Sequence, residues 1–235
     1  MALPRPTRPE YSTTIPSTGK KCRYQPFTVR EEKVLILAAE GQDAAEITNA
    51  VRNCLKNCIT SPQDLDIDNL ALFDIEFLFL KCRAKSVGEK IKLKVTDPED
   101  ETFTADHEIN IDKITVSKNE EHSDLITISD DIQVKMNYPN IEFFEDGVNT
   151  RDISGVVNMF QRCLGSIVVG EEVYSRSDMS EDEIVDWIEG LSSSQFQMIT
   201  KFFQTMPRLK HEITLKNTNT GKNFTVELEG LGDFF

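Results

Sequence analysis

The apolar residues of this chain change period several times, and each change marks an element. In "FTVREEKVLILAAEG", Thr28 followed three residues later by Glu31 makes a capping box, and Val34, Leu35, Leu37 and Ala38 give an apolar stripe. A helix is predicted from there to near Gly41. A second runs from about Asp43 to Asn57, with Ile47, Val51, Cys54, Leu55 and Cys58 at helical spacing, so the pair reads as a helical hairpin. Over Asn69 to Ala84 the apolar residues Leu72, Phe73, Ile75, Phe77, Leu78, Phe79 and Leu80 cover more than one face, which predicts a deeply buried helix.

The period then becomes two. "EKIKLKVTD" alternates apolar and charged residues, "PEDE" supplies a turn and "TFTADHEINI" returns, the pattern of an antiparallel hairpin with one wet face. "KITVS", "DLITIS" and "IQVKMNY" continue the alternation to Tyr138, and Pro139 closes it. Helical spacing resumes from about Ile153 to Cys163, in "SEDEIVDWIEGL" with a Ser180/Glu183 capping box, and from Gln195 to about Met206. Phe196, Ile199, Phe202, Phe203 and Met206 form the stripe of that last helix, which Trp187 is placed to cover. Beyond Pro207, "HEITLKN", the turn "TNTGK" and "NFTVELEG" read as a second hairpin.

Helices, strands, helices and a final hairpin, without strict strand-helix alternation, indicate an α+β fold. Five stretches follow: an extended arm over 1–21, where Pro4, Pro6, Pro9 and Pro16 disfavour helix, a helical region over 22–86, an antiparallel β lobe over 87–140, a second helical region over 141–207, and the hairpin with an aromatic tail over 208–235.

Charge alters the picture in two places. The formal net charge is -14, opposite to the basic footprint that grips a phosphate backbone, so direct nucleic-acid binding is not expected. Residues 1–33 nevertheless carry seven basic and three acidic side chains, among them Arg5 and Arg8, so the arm is opposite in sign to the rest. Between Asp97 and Asp131 there are twelve acidic residues and two basic ones, with Asp97, Glu99, Asp100 and Glu101 clustered at the predicted turn. Solvated strand faces account for that density, as does a docking surface for a basic partner; calcium is disfavoured because no DxDxDG loop occurs.

Candidate chemistry is sparse. The longest apolar run, "LALFDIEFLFL", is too short for a membrane span and is interrupted by Asp74 and Glu76, and the N-terminal stretch has no signal-type apolar core, so a reducing cytoplasm is expected. Cys22, Cys54, Cys58, Cys82 and Cys163 lack paired CxxC spacing and read as free thiols rather than disulfides or metal ligands. No GxSxG, GxxxxGK[ST], HExxH or dinucleotide fingerprint occurs, so neither catalytic residues nor a cofactor are expected. An acidic DNA mimic and an unrecognised carboxylate hydrolase remain as rival classes, resting on acidic density alone.

The chain ends on "LEGLGDFF", in which Gly230 and Gly232 give freedom to bend ahead of two phenylalanines. Burying both rings would contribute on the order of 3–6 kcal/mol before ordering costs. Two destinations stand open: the protein's own helices around Trp187 and Phe202, or a partner.

Four blocks in this order, "YQPFTVREEKVLILAAE", "LALFDIEFLFLKCRAKSVGEKIKLKV", "DDIQVKMNYP" and "LEGLGDFF", resemble the baseplate hub protein family of T-even-type bacteriophages. The resemblance implies a non-enzymatic part in tail morphogenesis, as a structural or chaperone-like assembly protein of the baseplate hub. It implies contacts with other hub proteins and with the tape-measure protein, in the host cytoplasm during assembly or in the virion tail. No catalytic residues come with it. The residues expected to meet partners are Phe234, Phe235 and Leu231, Arg5 and Arg8 of the arm, and Asp97, Glu99, Asp100 and Glu101.

Overall fold

The computed structural model describes residues 6–143 and 152–234. Among them it shows six α-helices and twelve strands in antiparallel sheets, closing on a β-hairpin, so the fold is α+β. The chain gathers into two compact units: Met1–Ser117 with Arg208–Phe235, and Lys118–Pro207.

In the first unit, β1 (Tyr11–Thr14) and β2 (Lys21–Tyr24) form a hairpin, and β3 (Ile59–Ser61) adds to β2. Residues 11–14 of the expected arm are therefore a paired strand. Helix α1 (Val29–Gly41) starts on the Thr28/Glu31 capping box, and α2 (Ala44–Cys58) on Asp43, whose carboxylate accepts from the amides of Ala45 and Glu46. The α1 stripe differs from expectation. Leu35 and Ala38 are buried, whereas Val34 and Leu37 face outward, because the helix is apolar on two sides and the described residues cover one.

Helix α3 (Leu72–Ser86) begins three residues later than its apolar run suggests, since Asn69 is held in a loop by its side-chain bond to Asp66. It is the buried centre of the unit: ten of its fifteen residues are enclosed, Asp74 and Glu76 included. The unit also holds the hairpins β4 (Lys90–Asp97)/β5 (Asp100–Asn110) and β11 (Arg208–Lys216)/β12 (Asn223–Glu229), of which β11 packs on α3. The hairpins meet where Phe103 and Phe224 pack edge to face, ring centroids 5.9 Å apart.

In the second unit, β7 (Leu125–Thr127), β8 (Ile132–Met136), β9 (Leu164–Val169) and β10 (Glu172–Ser175) make one sheet of order β10-β9-β8-β7. The strands expected to form one lobe over 87–140 thus divide between two units, because β8 finds its partner in β9, Val134 opposite Ile167. Strand β8 slips register after Lys135, and a Cβ at Gly165 would come within 3.1 Å of the Lys135 carbonyl, so the irregularity needs glycine there. Helices α4 (Ile153–Cys163), α5 (Glu181–Glu189) and α6 (Ser193–Thr205) enclose a core with Val134, Phe160, Ile184, Ile199 and Phe203. Trp187 stacks on Phe160 at 5.7 Å. His122 packs against Tyr138 and Phe202, which also stack on each other, and is bonded through both ring nitrogens to Thr205 and Tyr138. Burial pushes its pKa down, which favours the neutral ring.

Strand β6 (Val116–Ser117) pairs antiparallel with the start of β11, Ser117 opposite Arg208. The second unit is therefore an insertion whose two ends leave the first from paired neighbours. Replacing 118–207 by a two-residue hairpin turn between Ser117 and Arg208 is expected to leave a cooperatively folding protein. Circular dichroism melting of the shortened chain checks this, and a broad, non-cooperative melt would refute it.

Candidate interaction site

The C-terminal strand runs into a built anchor. After β12, Gly230 adopts φ +73 and its amide donates to the Leu209 carbonyl at 3.1 Å. A Cβ on Gly230 would stand 3.1 Å from Glu76 Oε1, so helix α3 and the tail approach closely only because this residue is glycine. The next residue, Leu231, is 1 % exposed. Its backbone N–H donates to the Glu76 carboxyl group. Burial pushes Glu76 up to about 8; the Leu231 amide and Arg208 oppose that rise, and the Glu229 carboxylate adds to it. Arg208 in turn pairs with Glu229 at 2.6 Å.

Leu231 is thus enclosed by its own fold. Its anchor is α3. The backbone of Phe234 completes a short 3-10 turn, Leu231–Phe234. The Phe234 ring, Phe235 and Arg5 lie outside the described residues. Arg8 is half-buried, and its guanidinium donates to the Pro26 carbonyl at 2.9 Å.

The acidic turn between β4 and β5 is divided in orientation. Asp97 is buried and accepts from Asn217 Nδ2 at 2.7 Å; Asp100 accepts from the same amide at 3.1 Å. Asn217, itself 0 % exposed, uses its Oδ1 to accept from the amides of Asn219 and Thr220. One side chain therefore folds its own turn and ties it to the neighbouring one. Glu99 and Glu101 are exposed, so this turn offers two carboxylates outward rather than four.

A groove of about 500 Å³ lies along β1, lined by Glu10, Tyr11, Ser12, Thr13, Tyr24, Lys81, Lys85 and Asp112. Lys85 bonds Asp112 at 2.9 Å and also pairs with Glu89, while Lys81 reaches the Asp112 backbone carbonyl and sits over the Phe77 ring. Burial opposes ionisation of Asp112, but the two ammonium groups outweigh it and hold its pKa down. With its cations neutralised, the groove presents hydrogen-bonding edges rather than net charge.

Sequence reasoning missed Glu76, Asn217 and the Lys81/Lys85/Asp112 cluster. A signal existed for Glu76, since a carboxylate inside an otherwise apolar helix has to find a buried partner. All five cysteines are free and buried. Among the described residues, no group of three or more His, Cys, Asp or Glu side chains is placed to hold a metal ion, and no helix is long and apolar enough to cross a membrane.

Comparison with known proteins supplies the family. A family model described as "T4 bacteriophage base plate protein" matches residues 8–235. No curated protein and no solved structure gives a significant match. The match spans nearly the whole chain, and the chain belongs to the T4 bacteriophage base plate protein family.

Proposed function

Proceeding from membership of the T4 base plate family, we propose that this chain serves the central hub of the baseplate, as a structural subunit or chaperone-like assembly partner acting without catalysis. Its partners on this reading are other hub proteins and the tape-measure protein, met in the host cytoplasm while the tail is built. The observation that carries the reading is the anchor at Leu231. It fixes the backbone three residues before Phe234 at a defined point on α3, and a short aromatic segment following a fixed anchor has the makings of a docking peptide. Arg5 and Arg8 of the arm and the outward Glu99 and Glu101 are secondary contacts on this reading.

Membership of a base plate structural family supports a role without catalysis. A DNA mimic needs carboxylates displayed like phosphates, and Asp97 and Asp100 are instead spent on Asn217.

Deleting Phe234 and Phe235 leaves Leu231 and Glu76 in place. Co-expressed with hub and tape-measure proteins, the full chain is expected to elute in a defined complex by size exclusion with light scattering. The truncated chain is expected to keep its melting temperature and elute alone. A full-length chain that binds none of these proteins would overturn the hub reading, and a truncated chain that still binds would move the contact elsewhere.

A further inference from the structure

Among the described residues, helix α1 is covered on one side only. Leu35 and Ala38 are buried and the helix packs on α2, whereas Val29, Val34, Ile36 and Leu37 are 78, 48, 51 and 55 % exposed. Four apolar side chains on one short helix exceed what isolated exposed residues would give. Their spacing is ordered. From Val29, the residues Lys33, Ile36 and Glu40 follow at steps of four, three and four, which is the seam of a two-helix contact, with Arg30 and Leu37 along one flank. Leu35 and Ala38 fall on the opposite side of the helix, toward α2.

The charges on this seam decide what it fits. No ion pair within the described residues uses Arg30, Lys33 or Glu40. The cations sit toward the N-terminal end of the helix and the anion at its C-terminal end. A parallel pairing with the same helix would set Lys33 against Lys33 and Glu40 against Glu40, which is repulsive at both positions. Reversing one helix so that Ile36 lies against the alkyl stem of the second copy's Lys33 brings Arg30 beside the second copy's Glu40, with Lys33 one turn from it, twice over. Each face is then complementary to itself, the condition for a twofold contact.

We propose that α1 is a self-association surface, pairing antiparallel with α1 of a second copy about a twofold axis through Val29, Lys33, Ile36, Leu37 and Glu40. One helix per protomer covers less than the roughly 1,200 Å² of a standard stable interface, so the dimer is weak and dissociates at micromolar concentrations or above. The net charge of -14 on each chain acts in the same direction. This pairing does not depend on the hub assignment.

Sedimentation equilibrium of the full chain, from about 5 µM to about 500 µM at roughly 0.15 M salt, tests it. A reversible monomer–dimer equilibrium is expected. Ile36→Ser with Leu37→Ser should weaken it at least about tenfold, because each change counts twice in a twofold contact. These side chains are half-exposed, so circular dichroism should show the fold intact. Lys33→Glu and Glu40→Lys should each weaken the dimer, and the two together should cost less than the sum of the single changes, because the exchanged pair attracts again while Arg30 does not. A chain monomeric over the whole range overturns the proposal. So does a dimer indifferent to the serine variant, or one in which the two charge changes add instead of compensating. Binding of another baseplate protein to this face without self-association also overturns it, by assigning the face to a different occupant.

Discussion

Asn217→Leu is expected to destabilise the first unit by about 3–5 kcal/mol, a large share of what a domain of this size has to spare. Asn217 uses both ends of its amide: Nδ2 donates to Asp97 and Asp100, and Oδ1 accepts from Asn219 and Thr220. Leucine has similar volume and none of these bonds. The two turn amides would lose about 1 kcal/mol each. The larger cost falls on Asp97, which is 4 % exposed and would keep only the Glu99 amide as a partner. Asp97→Val in the same chain should recover part of the loss, because it removes the group left unsatisfied. The two units allow an internal control. Trp187 is the only tryptophan and lies in the second unit. Urea unfolding followed by far-ultraviolet circular dichroism should show an early phase in Asn217→Leu, while the Trp187 fluorescence midpoint stays in place. Unchanged midpoints by both probes would mean that the two turns are not coupled through this side chain.

Local signals made most of the helices readable and left the sheets half-read. The Thr28/Glu31 and Ser180/Glu183 capping boxes mark helix starts because they satisfy amides within a few residues of themselves. The β4/β5 and β11/β12 hairpins were legible because one face of each is wet and alternation survives. Strands β9 and β10 were not, since "LGSIVV" follows directly on a helix and is a continuous apolar run, which periodicity cannot separate from more helix. Pairing of β6 with β11 joins Ser117 to Arg208, and nothing near either residue encodes the other. The division into two units follows from that non-local pairing. At the candidate site the sequence drew attention to the C-terminal glycines and aromatics, and the glycine proved to matter through Glu76. Asn217 was hidden because a polar residue beside a turn looks alike whether it is solvated or the knot between two hairpins. The acidic turn was over-counted for the same reason: composition registers a carboxylate and not the direction it points.

Raising the pH from about 5 to about 9 is expected to loosen the C-terminal anchor, through Glu76. Its pKa in the folded protein is raised to about 8, first by burial, against an ordinary value of 4.5. Below pH 4.5 the carboxyl is protonated in both folded and unfolded chains, and its contribution to stability is fully present. Between the two values the folded chain keeps the proton and the unfolded chain releases it, so stability falls by about 1.4 kcal/mol per pH unit and levels off above pH 8. The whole effect is on the order of 5 kcal/mol. Buried Asp74, whose pKa is also raised by desolvation, adds in the same direction. Asp112, held low by Lys85 and Lys81, acts in the opposite sense and at lower pH, losing its contribution as the pH falls through its own depressed value. Glu76→Gln separates these contributions. Its carbonyl still accepts from the Leu231 amide and it cannot ionise, so the variant should match the natural chain near pH 5 and exceed it by about 2–4 kcal/mol at pH 8.5. Chemical denaturation at the two pH values measures the difference, and hydrogen exchange at the Leu231 amide locates it. In the natural chain that amide should exchange faster at pH 8.5 than the rise in base concentration alone explains; in Glu76→Gln the excess should vanish. If the two proteins instead show the same stability at pH 8.5, Glu76 is solvated when ionised, and the tail is held by the Leu231 side chain alone.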